Sequence, residues 1–132
     1  MRRNIFFTLF VCLAQSVFGE TIWSGEKAFS PSWGAWEAIA NEKFSEAEVG
    51  DFIVLNVKDV TVSAECQWPQ IQLNNGNWSK LACAGNAALT ATSSSATYGI
   101  TIAMLAELKE GGLIVCGAGY TLTSVELEKG AG

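Results

Sequence analysis

Apolar and polar residues alternate in short runs along most of this chain, and clusters of glycine, asparagine and serine separate the runs. A period of two marks a half-buried strand, because successive side chains point to opposite faces. ETIWSGEKAF (20–29) reads as a first strand. SPSWGAWEAIA (30–40) is punctuated by Pro31 and Gly34 and reads as a loop entering a short strand. NEKFSEAEVGD (41–51) is polar and closes on a turn signal at Val49-Gly50-Asp51. FIVLNVKDVTVSAE (52–65), rich in β-branched residues, reads as the strongest strand. QWPQIQLNNGNW (67–78) reads as one arm of a hairpin spanning 67–82, with NNGN at its tip. CAGNAALTATSSSAT (83–97) is a small, polar loop with at most a weak strand, and YGITI (98–102) is a further strand. AMLAELKEGG carries the one helical pattern, near 103–110, ended by Gly111-Gly112. GLIVCGAGYTLTSVELE (112–128) supplies two last strands with a break near Gly117–Gly119.

Seven to nine short strands without an internal repeat predict an all-β fold, an antiparallel β-sandwich of jelly-roll-like type with one short helix. The domain is expected over 20–128, with KGAG at 129–132 as a C-terminal tail or linker start. Residues 1–19 stand apart. Two arginines, an apolar run from Ile5 to Ala14, and Val17 and Gly19 at cleavage-site positions form the pattern of a secretory signal peptide. The run is too short for a permanent membrane span. A lipid anchor on Cys12 would need a small residue before it, and Val11 is a poor one. The expected location is therefore secreted, at the cell surface or in a periplasm.

Composition then narrows the chemistry. Beyond residue 19 the chain keeps six lysines, no arginine and all thirteen acids, a net charge of −7. Such a surface repels phosphate backbones, and no basic amphipathic stretch suits a membrane surface. Histidine is absent, which removes the commonest general base and metal ligand. No dense cluster of oxygen ligands suggests calcium, so neither metal nor cofactor is expected. Glu37, Glu42, Glu65, Asp51 and Asp59 are the candidate carboxylates for a small glycoside-active enzyme. None forms a distinctive pair of the kind glycosidases use. The cysteines left after residue 19 are Cys66, Cys83 and Cys116. Cys66 and Cys83 flank the expected hairpin and are the first candidates for a disulfide, against the alternative of three small buried apolar residues.

Five tryptophans, Trp23, Trp33, Trp36, Trp68 and Trp78, exceed what the core of one thin sandwich takes up. Trp23, beside Ile22, is assigned to the core. In the strand 67–73, Ile71 and Leu73 share one face, and Trp68, Gln70 and Gln72 share the other. A pyranose ring has an apolar C–H face for an indole to stack on, and its hydroxyls both donate and accept, as a glutamine amide does. The Trp68–Gln70–Gln72 row, extended by Trp78 and flanked by Trp33 and Trp36, is thus suited to a polysaccharide chain laid across a sheet. Read without a ligand, the glutamines are a solvated strand face and Trp68, before Pro69, plugs the sandwich edge. Asn77-Trp78-Ser79 is also a glycosylation sequon by pattern.

IWSG at 22–25, SWGAW at 32–36, KFSEAEVGD at 43–51, PQIQL with NWSKL at 69–81, and LKEGGLIVCGAGYTLTSVEL at 108–127 follow one another in an order that resembles a known family. It is the β-sandwich carbohydrate-binding-like module found attached to secreted bacterial polysaccharide-degrading enzymes. The resemblance implies a ligand face at Gln70, Gln72 and Trp78, with Trp33 beside it. Cys116 departs from it, standing where a polar residue is more usual. The expectation is a secreted, non-catalytic polysaccharide-binding module for plant cell-wall glycans, with a catalytic domain or another protein as a further partner. The alternative is a secreted structural or adhesion subunit working through protein contacts at an exposed strand edge.

Overall fold

The computed structural model describes residues 19–130, so the signal-peptide reading of residues 1–19 lies, apart from Gly19, outside the described residues. Among the described residues eight strands form in chain order: β1 (Glu20–Phe29), β2 (Glu37–Ile39), β3 (Phe52–Lys58), β4 (Gln70–Asn75), β5 (Ala87–Ala88), β6 (Ser95–Gly99), β7 (Leu113–Ala118) and β8 (Tyr120–Glu128). Among them too, one α-helix, α1 (Ile102–Gly111), lies between β6 and β7, and a 3-10 turn covers Asn41–Phe44. The strands make two four-stranded antiparallel sheets, ordered β1-β8-β3-β6 and β2-β7-β4-β5. Strand one pairs with eight, two with seven, three with six and four with five, which is the winding of a jelly roll. The all-β sandwich expectation, with its single short helix, is the architecture observed.

The core lies between the sheets. Ile53 and Leu55 of β3, Ile71 and Leu73 of β4, Val115 of β7, and Leu122 and Val125 of β8 are fully enclosed. Each such side chain contributes about 1.5–3 kcal/mol by leaving water. Phe29 stacks on Tyr120 at 4.6 Å between ring centres, and the Tyr120 hydroxyl donates to the Cys116 carbonyl at 2.7 Å. Trp23, assigned to the core from the sequence, is only partly buried and packs against the core from outside it. Thr101 caps α1 by accepting from the Met104 N–H at 3.2 Å, and Met104 and Leu108 anchor the helix in the core.

Three boundaries differ from the sequence reading, each for a local reason. The strand expected over 52–65 stops at Lys58, because Asp59 takes a left-handed backbone (φ 52°) that ends the ladder. The strand expected at 98–102 lies at 95–99, because Thr101 is taken as the helix cap. The regular hairpin over 67–82 is interrupted. Lys80 bridges Asn74 after the turn, and continuing that register would set Cys83 opposite Ile71. Ala87 stands opposite Ile71 instead, so the residues between loop out and the edge strand resumes only as β5. Between β7 and β8 the chain turns at Gly119 (φ 83°), where a Cβ would lie 2.7 Å from the Cys66 sulfur.

The C-terminal end is fastened to the domain through Asp51, a buried carboxylate. Its Oδ2 accepts from Lys129 Nζ at 2.9 Å and from the Glu48 N–H at 2.9 Å, and its Oδ1 accepts from the Gly130 N–H at 3.0 Å. Burial pushes the Asp51 carboxyl up, but the Lys129 hydrogen bond and the two backbone donors outweigh it and hold its pKa below the usual carboxylate value. A depressed carboxylate stabilises the fold fully above its unfolded pKa, and the contribution is lost as pH falls through the lower folded value. Asp51→Asn is expected to destabilise the protein by about 2 kcal/mol at neutral pH. Urea melts should show the gap between wild type and variant closing as the pH is taken below about 4. A gap of constant size across that range would show that Asp51 is not the ionised anchor.

Candidate functional site

Burying Ile71 and Leu73 turns Gln70, Gln72 and Asn74 to the outer face of the second sheet. Residues directly opposite in a ladder share a face. The pairings Gln70–Ala118, Gln72–Cys116 and Asn74–Ile114 therefore place Ala118, Cys116 and Ile114 on that outer face too. These three are buried yet lie outside the main core cluster. They form a low apolar floor among taller amide and indole side chains. Ala38 pairs with Ile114, so Trp36, two residues earlier, falls level with Cys116 on the same side. The bridge opposite Asn74 sets Lys80 at the edge, the one charged side chain that strand pairing places on this face among the described residues.

The amides form a connected row. Gln70 Nε2 donates to the Trp68 carbonyl at 3.0 Å, and Gln72 Nε2 donates to Asn74 Oδ1 at 3.1 Å. Asn86, in the loop that interrupts the edge strand, donates through Nδ2 to Gln70 Oε1 at 2.6 Å and to Gln72 Oε1 at 3.2 Å. At about 3.3 Å per residue, the strand part of the row, from Gln70 to Asn74, is about 13 Å long.

The indoles are positioned separately. Trp78 comes off the turn after β4 and meets Trp36 edge to face, with ring centres 5.4 Å apart and planes at 80°. Both rings are about half exposed, at 53% and 51%. The turn is built around Asn75, whose Oδ1 accepts from the Asn77 and Ser79 N–H groups at 2.9 and 3.1 Å. Its Nδ2 donates to Glu107 Oε1 on α1 at 3.1 Å, and the Ala82 N–H reaches the same oxygen at 3.0 Å. Gly76 lies against the Gly111 backbone so closely that a Cβ there would collide with it. Trp78 itself sits at φ 65°, a left-handed backbone that costs a bulky residue about 1–2 kcal/mol. Such strain persists where the surroundings over-determine it.

The structure thus brings Trp36, Trp78, Gln70 and Gln72 onto one side of one sheet. Trp68, 77% exposed, stands at the end of the amide row. Trp33 lies in the β1–β2 loop at φ 64°, and among the described residues it shares no ring contact with the Trp36–Trp78 pair. Asn74 and Asn86 were not singled out from the sequence. Asn74 was legible as the next member of the alternating row, whereas Asn86 reaches it through a loop that no local pattern announces. Among the described residues no group of three His, Cys, Asp or Glu could hold a metal ion. Of the candidate carboxylates, Asp51 is spent on Lys129 and the backbone.

Cys66 and Cys83, expected as a disulfide pair, are both free here, as is Cys116. A regular hairpin would not have joined them: the register that sets Cys83 opposite Ile71 leaves it well along the strand from Cys66. Cys83 is exposed in the edge loop, and Cys66 is buried beside Gly119. Burial pushes the Cys116 thiol up.

No family profile matches the chain, and a search of curated proteins returns no match. Among solved structures, the fold is similar to that of SGBP-B from the Bacteroides ovatus mixed-linkage glucan utilization locus, solved in complex with a mixed-linkage heptasaccharide. The TM-score is 0.66 at 20% identity over 83% of this chain. This chain spans 28% of the length of that one, and the likeness is one of fold.

Native protein exposed to a maleimide is expected to label at Cys83 and to spare Cys66 and Cys116, read by peptide mass spectrometry. In denaturant without reductant all three should label. Failure of Cys66 and Cys83 to label in denaturant would restore the disulfide.

Proposed function

We propose that this protein is a secreted, non-catalytic polysaccharide-binding module that takes a glycan chain across the outer face of its β2-β7-β4-β5 sheet. The observation that carries the reading is the joining, on one sheet face, of an exposed indole pair and a continuous row of amides above an apolar floor. Indole faces suit the C–H side of a pyranose, and amides suit hydroxyls. Trp36, Trp78, Gln70 and Gln72 are the centre of this site. Trp68 extends it at the far end of the row, and Trp33 is a flanking platform. The jelly-roll likeness to a surface glycan-binding protein solved with a bound heptasaccharide supports the same reading. Plant cell-wall glycans are the proposed ligand class and the cell surface the proposed location, with a catalytic domain or another protein as a further partner. The proposed chemistry of the face is binding, through stacking on the indoles and hydrogen bonds to the amides.

Affinity electrophoresis against hydroxyethyl cellulose, xylan, galactomannan, mixed-linkage glucan and pectin tests the proposal. At least one glycan should retard the protein and blue-shift its tryptophan fluorescence. Trp78→Ala and Trp36→Ala should each weaken that binding tenfold or more, about 1.4 kcal/mol, while thermal melts stay cooperative. Indifference to every glycan together with concentration-dependent self-association would favour the structural-subunit reading instead.

A further inference from the structure

Among the described residues, Asn86 alone bonds to the side chains of both Gln70 and Gln72. Its side-chain nitrogen faces both glutamine oxygens, 2.6 Å from Gln70 Oε1 and 3.2 Å from Gln72 Oε1. A primary amide nitrogen carries two N–H groups and an amide oxygen only accepts. With both oxygens drawn toward Asn86, the amide nitrogens of Gln70 and Gln72 must point the other way. There each spends one N–H, Gln70 on the Trp68 carbonyl and Gln72 on Asn74 Oδ1. One N–H of each glutamine remains for a ligand. The Trp68 carbonyl can only accept and so already favours this sense at Gln70; Asn86, donating to both oxygens, reinforces it there and passes it to Gln72, whose other partner Asn74 is an amide that can itself turn over.

We propose that Asn86 is the positioning residue that fixes the hydrogen-bonding polarity of the face, so that Gln70 and Gln72 offer N–H groups to acceptor oxygens of the sugar. This rests on the reading of the face as a glycan site. It adds that the face is preorganised rather than adaptable, because the rotation of two side chains is settled before the ligand arrives. Aspartate at position 86 is nearly isosteric and exposed but has no donor when ionised. Its carboxylate draws the glutamine N–H groups to itself: Gln72 turns over and presents its oxygen to the ligand, and Gln70 is divided between the carboxylate and the Trp68 carbonyl.

The test compares wild type, Asn86→Ala and Asn86→Asp by titration calorimetry with the five glycans named above, and by proton–nitrogen correlation spectra of the glutamine side-chain amides without glycan. Asn86→Ala should bind about tenfold more weakly, about 1.4 kcal/mol, because the two glutamines are no longer held in one sense before the ligand arrives. Asn86→Asp should bind more weakly still. Melting temperatures should stay close to wild type, and the Gln70 and Gln72 amide signals should move in both variants. If Asn86→Asp binds as wild type does, or if the glutamine signals stay in place, Asn86 does not set the polarity. The glycan reading would then survive provided Trp78→Ala still loses binding. A wild type that binds none of the five glycans overturns both.

Discussion

Ile71 and Leu73 are shut between the two sheets, and that burial dictates the opposite side of β4. A strand cannot hide its odd residues without presenting its even ones. Gln70, Gln72 and Asn74 are thereby fixed outward at a spacing set by the backbone. The ladder to β7 brings Ala118, Cys116 and Ile114 alongside them as an apolar floor. The same constraint that makes the core therefore makes a polar row over an apolar base.

Aromatic side chains are added to this row from outside the sheet, and their placement depends on α1. Glu107 accepts from both Asn75 and the Ala82 backbone, tying the turn after β4 to the helix. The contact of Gly76 with Gly111 lets the two backbones approach without side chains between them. Trp78 is held between these ties in a left-handed backbone and meets Trp36 from β2's leading loop. Residues distant in sequence thus form one aromatic corner.

The interrupted edge strand shapes the outer face. Looping out residues 82–86 leaves Cys83 exposed in the loop. It also swings Asn86 back over β4, where it links the two glutamines. A short, broken edge further limits pairing with foreign strands, a device common in sandwich proteins.

Much was already fixed by the order of the residues. Alternation of apolar and polar positions specified most strands, the break at Gly117–Gly119, the single helix and the outward Gln70–Gln72 row, because these follow from nearest-neighbour geometry. The excess of tryptophan announced exposed aromatics by count alone. Only the tertiary structure decided which of them meet. Trp36 and Trp78 were legible as candidates, but their contact depends on the helix-to-turn ties and on strand order, which local pattern does not carry. The end of β3 at Asp59 and the loop that carries Asn86 were likewise closed to the sequence. A left-handed residue and a looped-out segment are stabilised by partners far along the chain. Sequence fixes what each segment can present; the fold fixes what stands opposite it, because hydrogen bonds and packing act through space.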